Sequence, residues 1–244
     1  KIREEHLNTQ LEILSQKPTE QCRIWPQTNR ANAAKQSNIE RKVIAKDLQE
    51  LVIDLFDIKC LLFGKFEQSS GEIFNYYVDL RQIISDPALF HRVLDCYAQV
   101  LRPLNFDRIA GIPYGSLPTA TGLSLQLHKP LIYPRKEVKA HGTRRLVEGE
   151  FNEGEIVAVV DDILITGGSV LEGIAKLGSS GLKVNDVVVF LDHGGRQDTS
   201  AKERLNAKGL KIQSVLSLET ISEVLEDAER ISASQAEELR GTRP

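Results

Sequence analysis

Methionine is absent from all 244 residues, position 1 included. Two readings stand: a piece of a longer protein, or a sequence from which the methionine positions are missing. Cysteine is scarce. The three present, Cys22, Cys60 and Cys96, are odd in number and form no CxxC pair. That argues against a disulfide framework and a metal site, and for a reducing cytoplasm. No apolar run approaches membrane-spanning length, and no signal-peptide pattern opens the chain. Neither a membrane nor secretion is expected. Charge of one sign is also lacking: 31 Lys and Arg stand against 34 Asp and Glu. No global preference for nucleic acid or anionic membranes follows. What remains is an ordinary globular composition, 41% apolar and 27% charged, long enough for one sizeable domain plus extensions.

Leu7, Leu11 and Leu14 share one face of a short amphipathic helix over 1–17, which Pro18 ends. Residues 18–42 are rich in Gln, Asn, Ala and Arg and read as a linker, with Trp25 as an apolar anchor. Residues 1–42 are thus an N-terminal extension or interdomain linker, 43–230 the main domain and 231–244 a polar tail, helical to Leu239. Ile44, Leu48, Leu51, Val52 and Leu55 repeat at helical spacing and predict a helix over 41–56. CLLFGKFEQSSGEIFNYYVDLR follows, two short strands around Ser69-Ser70-Gly71. Asp86-Pro87 opens a helix with Leu89, Val93, Tyr97 and Val100 on its buried stripe. Strands are predicted over 107–112, 186–192 and 211–216, with a last helix over 219–226. Strands alternating with helices imply an α/β fold, an open and mainly parallel sheet flanked by helices.

The most informative stretch is EIVAVVDDILITGGSVLEG, from Glu155 to Gly173. Ile156 to Val160 have the unbroken apolar character of a parallel strand covered on both faces. Asp161 and Asp162 follow. Thr166-Gly167-Gly168-Ser169 then opens a helix. Such a loop points backbone N–H groups at a phosphate, helped by the helix dipole. The carboxylates can accept hydrogen bonds from sugar hydroxyls. Together they form a candidate ribose 5-phosphate cradle; the competing reading is an ordinary strand-to-helix turn. A second cluster lies in RKEVKAHGTRR, where Arg135, Lys136, Lys139, His141, Arg144 and Arg145 crowd together. It reads as a solvated basic loop, a patch for RNA phosphates, or an anion-handling loop.

The acid pair and its loop resemble the PRPP signature of type I phosphoribosyltransferases. FGKF, SG, YY and DLR, and RKEVKAHGT followed by EG, resemble orotate phosphoribosyltransferases more narrowly, over about residues 43–228. The resemblance implies the type I phosphoribosyltransferase fold, with the N-terminal hairpin as a small hood. It implies transfer of phosphoribose from Mg-PRPP to orotate in UMP synthesis. It implies a homodimer whose basic loop reaches the neighbouring site. A fused orotidylate decarboxylase would be a natural neighbour. Arg135, Lys136, Lys139 and His141 match the pyrophosphate and catalytic-loop residues. Asp161 and Asp162 match the ribose acids, and Thr166, Gly167, Gly168 and Ser169 the 5′-phosphate loop. Lys139, His141 and Asp162 are the implied catalytic residues. The segment PYGSLPTATGLS resembles the pyrophosphate-binding loop. Magnesium is implied to enter with PRPP rather than on a protein metal site.

The base site departs from the family. Ser69 stands where KSG has Lys. Ile165 stands where DDVIT has Thr. His193 stands where LDR has Arg, with Arg196 three residues on. Tyr77 is the matching hood aromatic. The expectation is weak orotate binding with PRPP binding preserved. Two readings therefore remain: an orotate enzyme with an adapted base pocket, or a PRPP-binding module without orotate turnover.

Overall fold

A computed structural model describes residues 46–67, 73–137, 145–194 and 201–241. The chain divides into two units, 1–45 and 46–244, and the description below concerns the second. The expected helix over 1–17, the linker over 18–42 and Trp25 lie outside the described residues. So do Ser69, Lys139, His141, Arg144 and Arg196.

Helix α1 occupies 46–57. Strands β1 (Leu61–Glu67) and β2 (Ile73–Val78) pair antiparallel as a separate two-stranded sheet. A register shift falls between Phe63 and Phe66. A 3-10 turn, Leu80–Ser85, leads to α2 (Pro87–Leu101). Asp86 caps α2 by accepting from the Ala88 and Leu89 N–H groups, and Pro87 occupies the first helical position.

The main sheet holds six strands: β3 (Arg108–Gly111), β4 (Leu131–Pro134), β5 (Val147–Glu148), β6 (Ile156–Leu164), β7 (Lys183–Asp192) and β8 (Lys211–Ser217). Their order is β5-β4-β3-β6-β7-β8, parallel except for β5 against β4. Helices α3 (Leu117–Leu127), α4 (Gly168–Ser179), α5 (Ala201–Asn206), α6 (Leu218–Asp227) and α7 (Ala233–Arg240) complete the described fold.

The alternation of β6 and β7 explains the layers. Ala158, Val160, Val188 and Phe190 join a cluster with α1, α2, α3, α6, α7 and the hairpin. Val157, Val159, Val187 and Val189 join the opposite cluster with α4 and α5. These valines are fully buried. Each contributes about 1.5–3 kcal/mol relative to exposure. That is enough to hold polar groups in place at the same strand's end.

Two features differ from the sequence expectation. The ladder of β6 does not stop before the acids. Asp161 pairs with Val189, Ile163 with Leu191 and Leu164 with Asp192, because β7 is long enough to continue the pairing. Residues 231–241, expected as a polar tail helical to Leu239, pack on the core instead. Ser232 and Gln235 form a capping box, and Ile231, Ala236 and Leu239 are buried. Three apolar residues at the right spacing suffice to dock an otherwise polar helix.

Candidate active site

The central strand brings the two acids to the sheet's C-terminal edge, but into different surroundings. Successive side chains of a strand point to opposite faces. Asp161 is turned inward, 7% exposed. Its Oδ1 accepts from the Asp162 N–H at 3.1 Å and lies 3.0 Å from the Ser116 Oγ. Its backbone carbonyl accepts from the buried Tyr97 hydroxyl at 2.7 Å. Burial, then the neighbouring Asp162 charge, push the Asp161 carboxyl up to about 7. Asp162 is half-buried and accepts from the Ile163 N–H at 2.8 Å.

The loop after β3, Ile112 to Ser116, closes against both acids. A Cβ on Gly115 would sit 2.6 Å from Asp162 Oδ2, so a larger residue there would push the acid's carboxylate or the loop aside. The Ile112 N–H continues the sheet by donating to the Val160 carbonyl at 3.0 Å. Sequence reading placed this loop beside pyrophosphate and did not single out Gly115 or Ser116. The signal for both lay in the small residues of YGS, one position from the helix start.

The segment Thr166 to Ser169 is a turn and the first turn of α4. Gly167 adopts φ 74°, the left-handed region glycine takes without penalty. The N-cap Gly167 has no side chain to cap α4, the Gly168 N–H donates to the Thr166 Oγ1 at 3.4 Å, and no acidic residue sits in the first turn. Its first N–H groups have no partner within the helix, which suits an anion. Arg204 of α5 donates to the Thr166 carbonyl at 3.2 Å and so braces the loop. This bracing arginine is far away in sequence and carried no local signal.

The described start of the basic segment lies beside this cleft. The Lys136 ammonium stands 5.3 Å from the centre of the Tyr114 ring, which links it to the Ile112–Ser116 loop. Arg135 is paired with Glu148 at 2.8 Å, across the β4–β5 pairing. Lys176 of α4 donates to the Arg135 and Lys136 carbonyls at 2.7 and 3.1 Å. It anchors the backbone from which the basic loop departs.

The base-side positions are arranged differently. The register of β6 and β7 carries Ile165 and His193 to neighbouring places just past their strand ends. The His193 N–H donates to the Leu164 carbonyl at 3.0 Å. Ile165 is 36% exposed. The His193 side chain is buried. Its ring stacks on Tyr76, with Nε2 at 3.0 Å from the Tyr76 hydroxyl, and Phe74 meets it edge-on. The structure therefore brings His193 to the underside of the hairpin rather than leaving it open like Ile165. Tyr77 packs against Phe66 and accepts from Arg81 Nη2 at 3.1 Å. Arg81 also grips both oxygens of Asp79, at 2.7 and 2.9 Å. Beyond His193, a cleft of about 420 Å³ opens between Asp192, Ser217, Glu219, Leu239 and Arg240.

Comparisons with known proteins agree with this geometry. A profile of the phosphoribosyl transferase domain matches residues 81–222. The chain is 55% identical over 188 residues to a bifunctional enzyme PyrF/PyrE of Nostoc sp., covering 77% of this chain and 39% of that protein. It is 46% identical over 140 residues to an orotate phosphoribosyltransferase of Pyrobaculum aerophilum, covering 57% and 72% respectively. The crystal structure of orotate phosphoribosyltransferase from Aeropyrum pernix superposes with a TM-score of 0.65 at 35% identity, covering 75% of this chain and 99% of that one. The chain spans about two-fifths of the length of the first curated relatives it matches. With a relative at this identity matched over most of its length, and the acid pair of β6 set between two anion-suited loops, the chain belongs to the orotate phosphoribosyltransferase family.

Proposed function

We propose that this chain transfers the phosphoribosyl group of Mg-PRPP to orotate, giving orotidine 5′-monophosphate and pyrophosphate in de novo UMP synthesis. The observation that carries the reading is the acid pair Asp161-Asp162, held between the Ile112–Ser116 loop and the Thr166–Ser169 start of α4. Asp161 and Asp162 would hold the ribose hydroxyls. Thr166, Gly167, Gly168 and Ser169 would hold the 5′-phosphate. Arg135, Lys136, Lys139 and His141 would meet pyrophosphate. Charge grows on that leaving group as the C1′ bond breaks, and preset cations stabilise it where it grows. Lys139 and His141 are the proposed catalytic members. Asp162 would face the positive charge developing on the ribose.

The family implies magnesium, and the donor set fits an ion brought in by the substrate. Asp161 is committed to Ser116 and a backbone N–H, and Asp162 lies close against the Gly115 backbone. A small hard ion that keeps water and phosphate oxygens needs little more from the protein. When bound, it would neutralise the pyrophosphate oxygens. Supporting partners are a second copy of the chain, with basic loops working across a dimer, and an orotidylate decarboxylase domain in the same longer protein. Residues 1–42 would then be the connecting extension to the 43–230 catalytic domain. The proposed setting is the cytoplasm. No helix among the described residues is long and apolar enough to cross a membrane.

A second reading keeps the PRPP site without orotate turnover. The observation favouring it is the burial of His193, the residue standing where the family has Arg, with its Nε2 3.0 Å from the Tyr76 hydroxyl. Steady-state assay with orotate and Mg-PRPP separates the two. Turnover supports the enzyme; PRPP binding with no orotidine monophosphate formed supports the module.

A further inference from the structure

Ser116 is completely buried. Its Oγ lies 2.6 Å from the Ile112 carbonyl oxygen and 3.0 Å from Asp161 Oδ1. A hydroxyl has one proton and cannot give it to both. The Ile112 carbonyl can only accept, and it is nearer. With the Ser116 proton there, the contact to Asp161 is favourable only if the carboxyl carries a proton and donates it. If Asp161 is ionised, the hydroxyl must turn and donate to Oδ1 instead, leaving the Ile112 carbonyl. One rotor thus serves both states of the acid.

The surroundings favour the neutral state until a ligand arrives. Asp161 is shielded from water, and burying a lone charge is costly. The charged and titratable groups facing it are few. Asp162 adds negative charge from the same strand. Tyr97 of α2 gives its proton to the Asp161 backbone carbonyl, not to the carboxyl. Arg81 is near enough to Asp162 to interact with it, but is paired with Asp79. Among the described residues no cation bonds the Asp161 carboxyl.

We propose that Ser116 is a positioning residue for Asp161: it accepts the acid's proton in the free protein and turns its own proton to the carboxylate when PRPP binds, so that binding expels one proton to solvent. This rests on the reading of Asp161 as a ribose acid. Ribose hydroxyls arrive as donors and need acceptors, which the ionised acid supplies. No bond is made or broken beyond the transfer of that proton from Asp161 to water. Affinity for PRPP should therefore rise with pH until Asp161 is ionised without help.

The test is calorimetric titration of Mg-PRPP between pH 6.5 and 8.5, in pairs of buffers with different ionisation enthalpies. Protons released by PRPP's own phosphates are common to all variants and cancel. The native protein should release about half a proton more than Asp161→Asn near pH 7, and more than that at pH 6.5. Ser116→Ala loses the bond to the charged form, which is the stronger of the two. Its affinity should fall several-fold at pH 6.5 and recover by pH 8.5, while Ser116→Thr should behave like the native protein. An equal proton count in native and Asp161→Asn proteins, with PRPP still bound, overturns the proposal and leaves the ribose reading standing. So does a pH-independent loss in Ser116→Ala, which would mark Ser116 as structural only. Native and Asp161→Asn proteins binding PRPP equally at every pH would overturn the ribose reading itself. The comparison of native protein with Asp161→Asn needs no Ser116 variant to fold.

Discussion

The two sides of the cleft are built from different material. On the proposed ribose side, Asp161 and Asp162 extend a strand whose Val157, Val159 and Val160 are fully buried, and a loop seals against them through Gly115. The Asp161 carbonyl and the Oδ1 atoms of both acids have defined backbone or side-chain partners. On the proposed base side, the described matched positions, Ile165, His193 and Tyr77, lie past the strand ends and in β2. Ile165 has no side-chain hydrogen-bonding group, and His193 is spent on Tyr76. A buried strand fixes position through many packing contacts at once. A strand end is fixed by a few, so its side chains can be exchanged without loss of the sheet. Ligand groups held on the first kind of support should be less open to change than those held on the second.

The widest gap should appear when the ribose side is emptied of charge. Asp161→Asn with Asp162→Asn keeps volume and removes two charged acceptors, each worth about 1.5–3 kcal/mol in a hydrogen bond. PRPP affinity should fall by roughly 10²–10³ in calorimetry. Unchanged affinity would break the comparison at its stronger end.

The basic loop should act on rate rather than binding. Lys139→Ala is expected to lower kcat by about 10² while PRPP affinity changes little, as for a group that meets charge in the transition state. A raised KM with kcat intact would make the loop a substrate clamp.

On the base side the change should go the other way. Ser69→Lys, Ile165→Thr and His193→Arg together should raise orotate affinity about tenfold, measured with magnesium and pyrophosphate present. His193→Arg alone must break the Tyr76 stack. It should lower Tm and give only part of the gain. Tight native orotate binding with no gain would mean that another cation, Arg196 or Arg81, already serves the carboxylate.

The smallest effect belongs to the foot of the ribose strand. Glu155 is held by Arg108 of β3 and by Asn152, which bring its carboxyl down from 4.5 to about 2. A depressed pKa contributes stability above the ordinary value, lost as pH falls through the folded one. Glu155→Gln should therefore lower Tm modestly near pH 7, with the difference shrinking from pH 5 toward pH 3. A difference that stays constant with pH would assign the loss to packing.

Much of the proposed ribose side was legible because its pattern is local. A short unbroken apolar run rich in β-branched residues suits a covered strand, and acids followed by a Thr-Gly-Gly-Ser turn carry their proposed chemistry in consecutive residues. The alternation of strands and helices determined the fold class for the same reason. What the tertiary structure alone decided is which distant groups meet. Ser116 reaches Asp161 across 45 positions, and Tyr76 reaches His193 across 117. Lys176 reaches the start of the basic loop, and the helix Ala233–Arg240 docks on Leu239 and Ala236. Spacing along a chain encodes the period of one element. It does not encode the sheet order β5-β4-β3-β6-β7-β8, and that order sets each of these meetings.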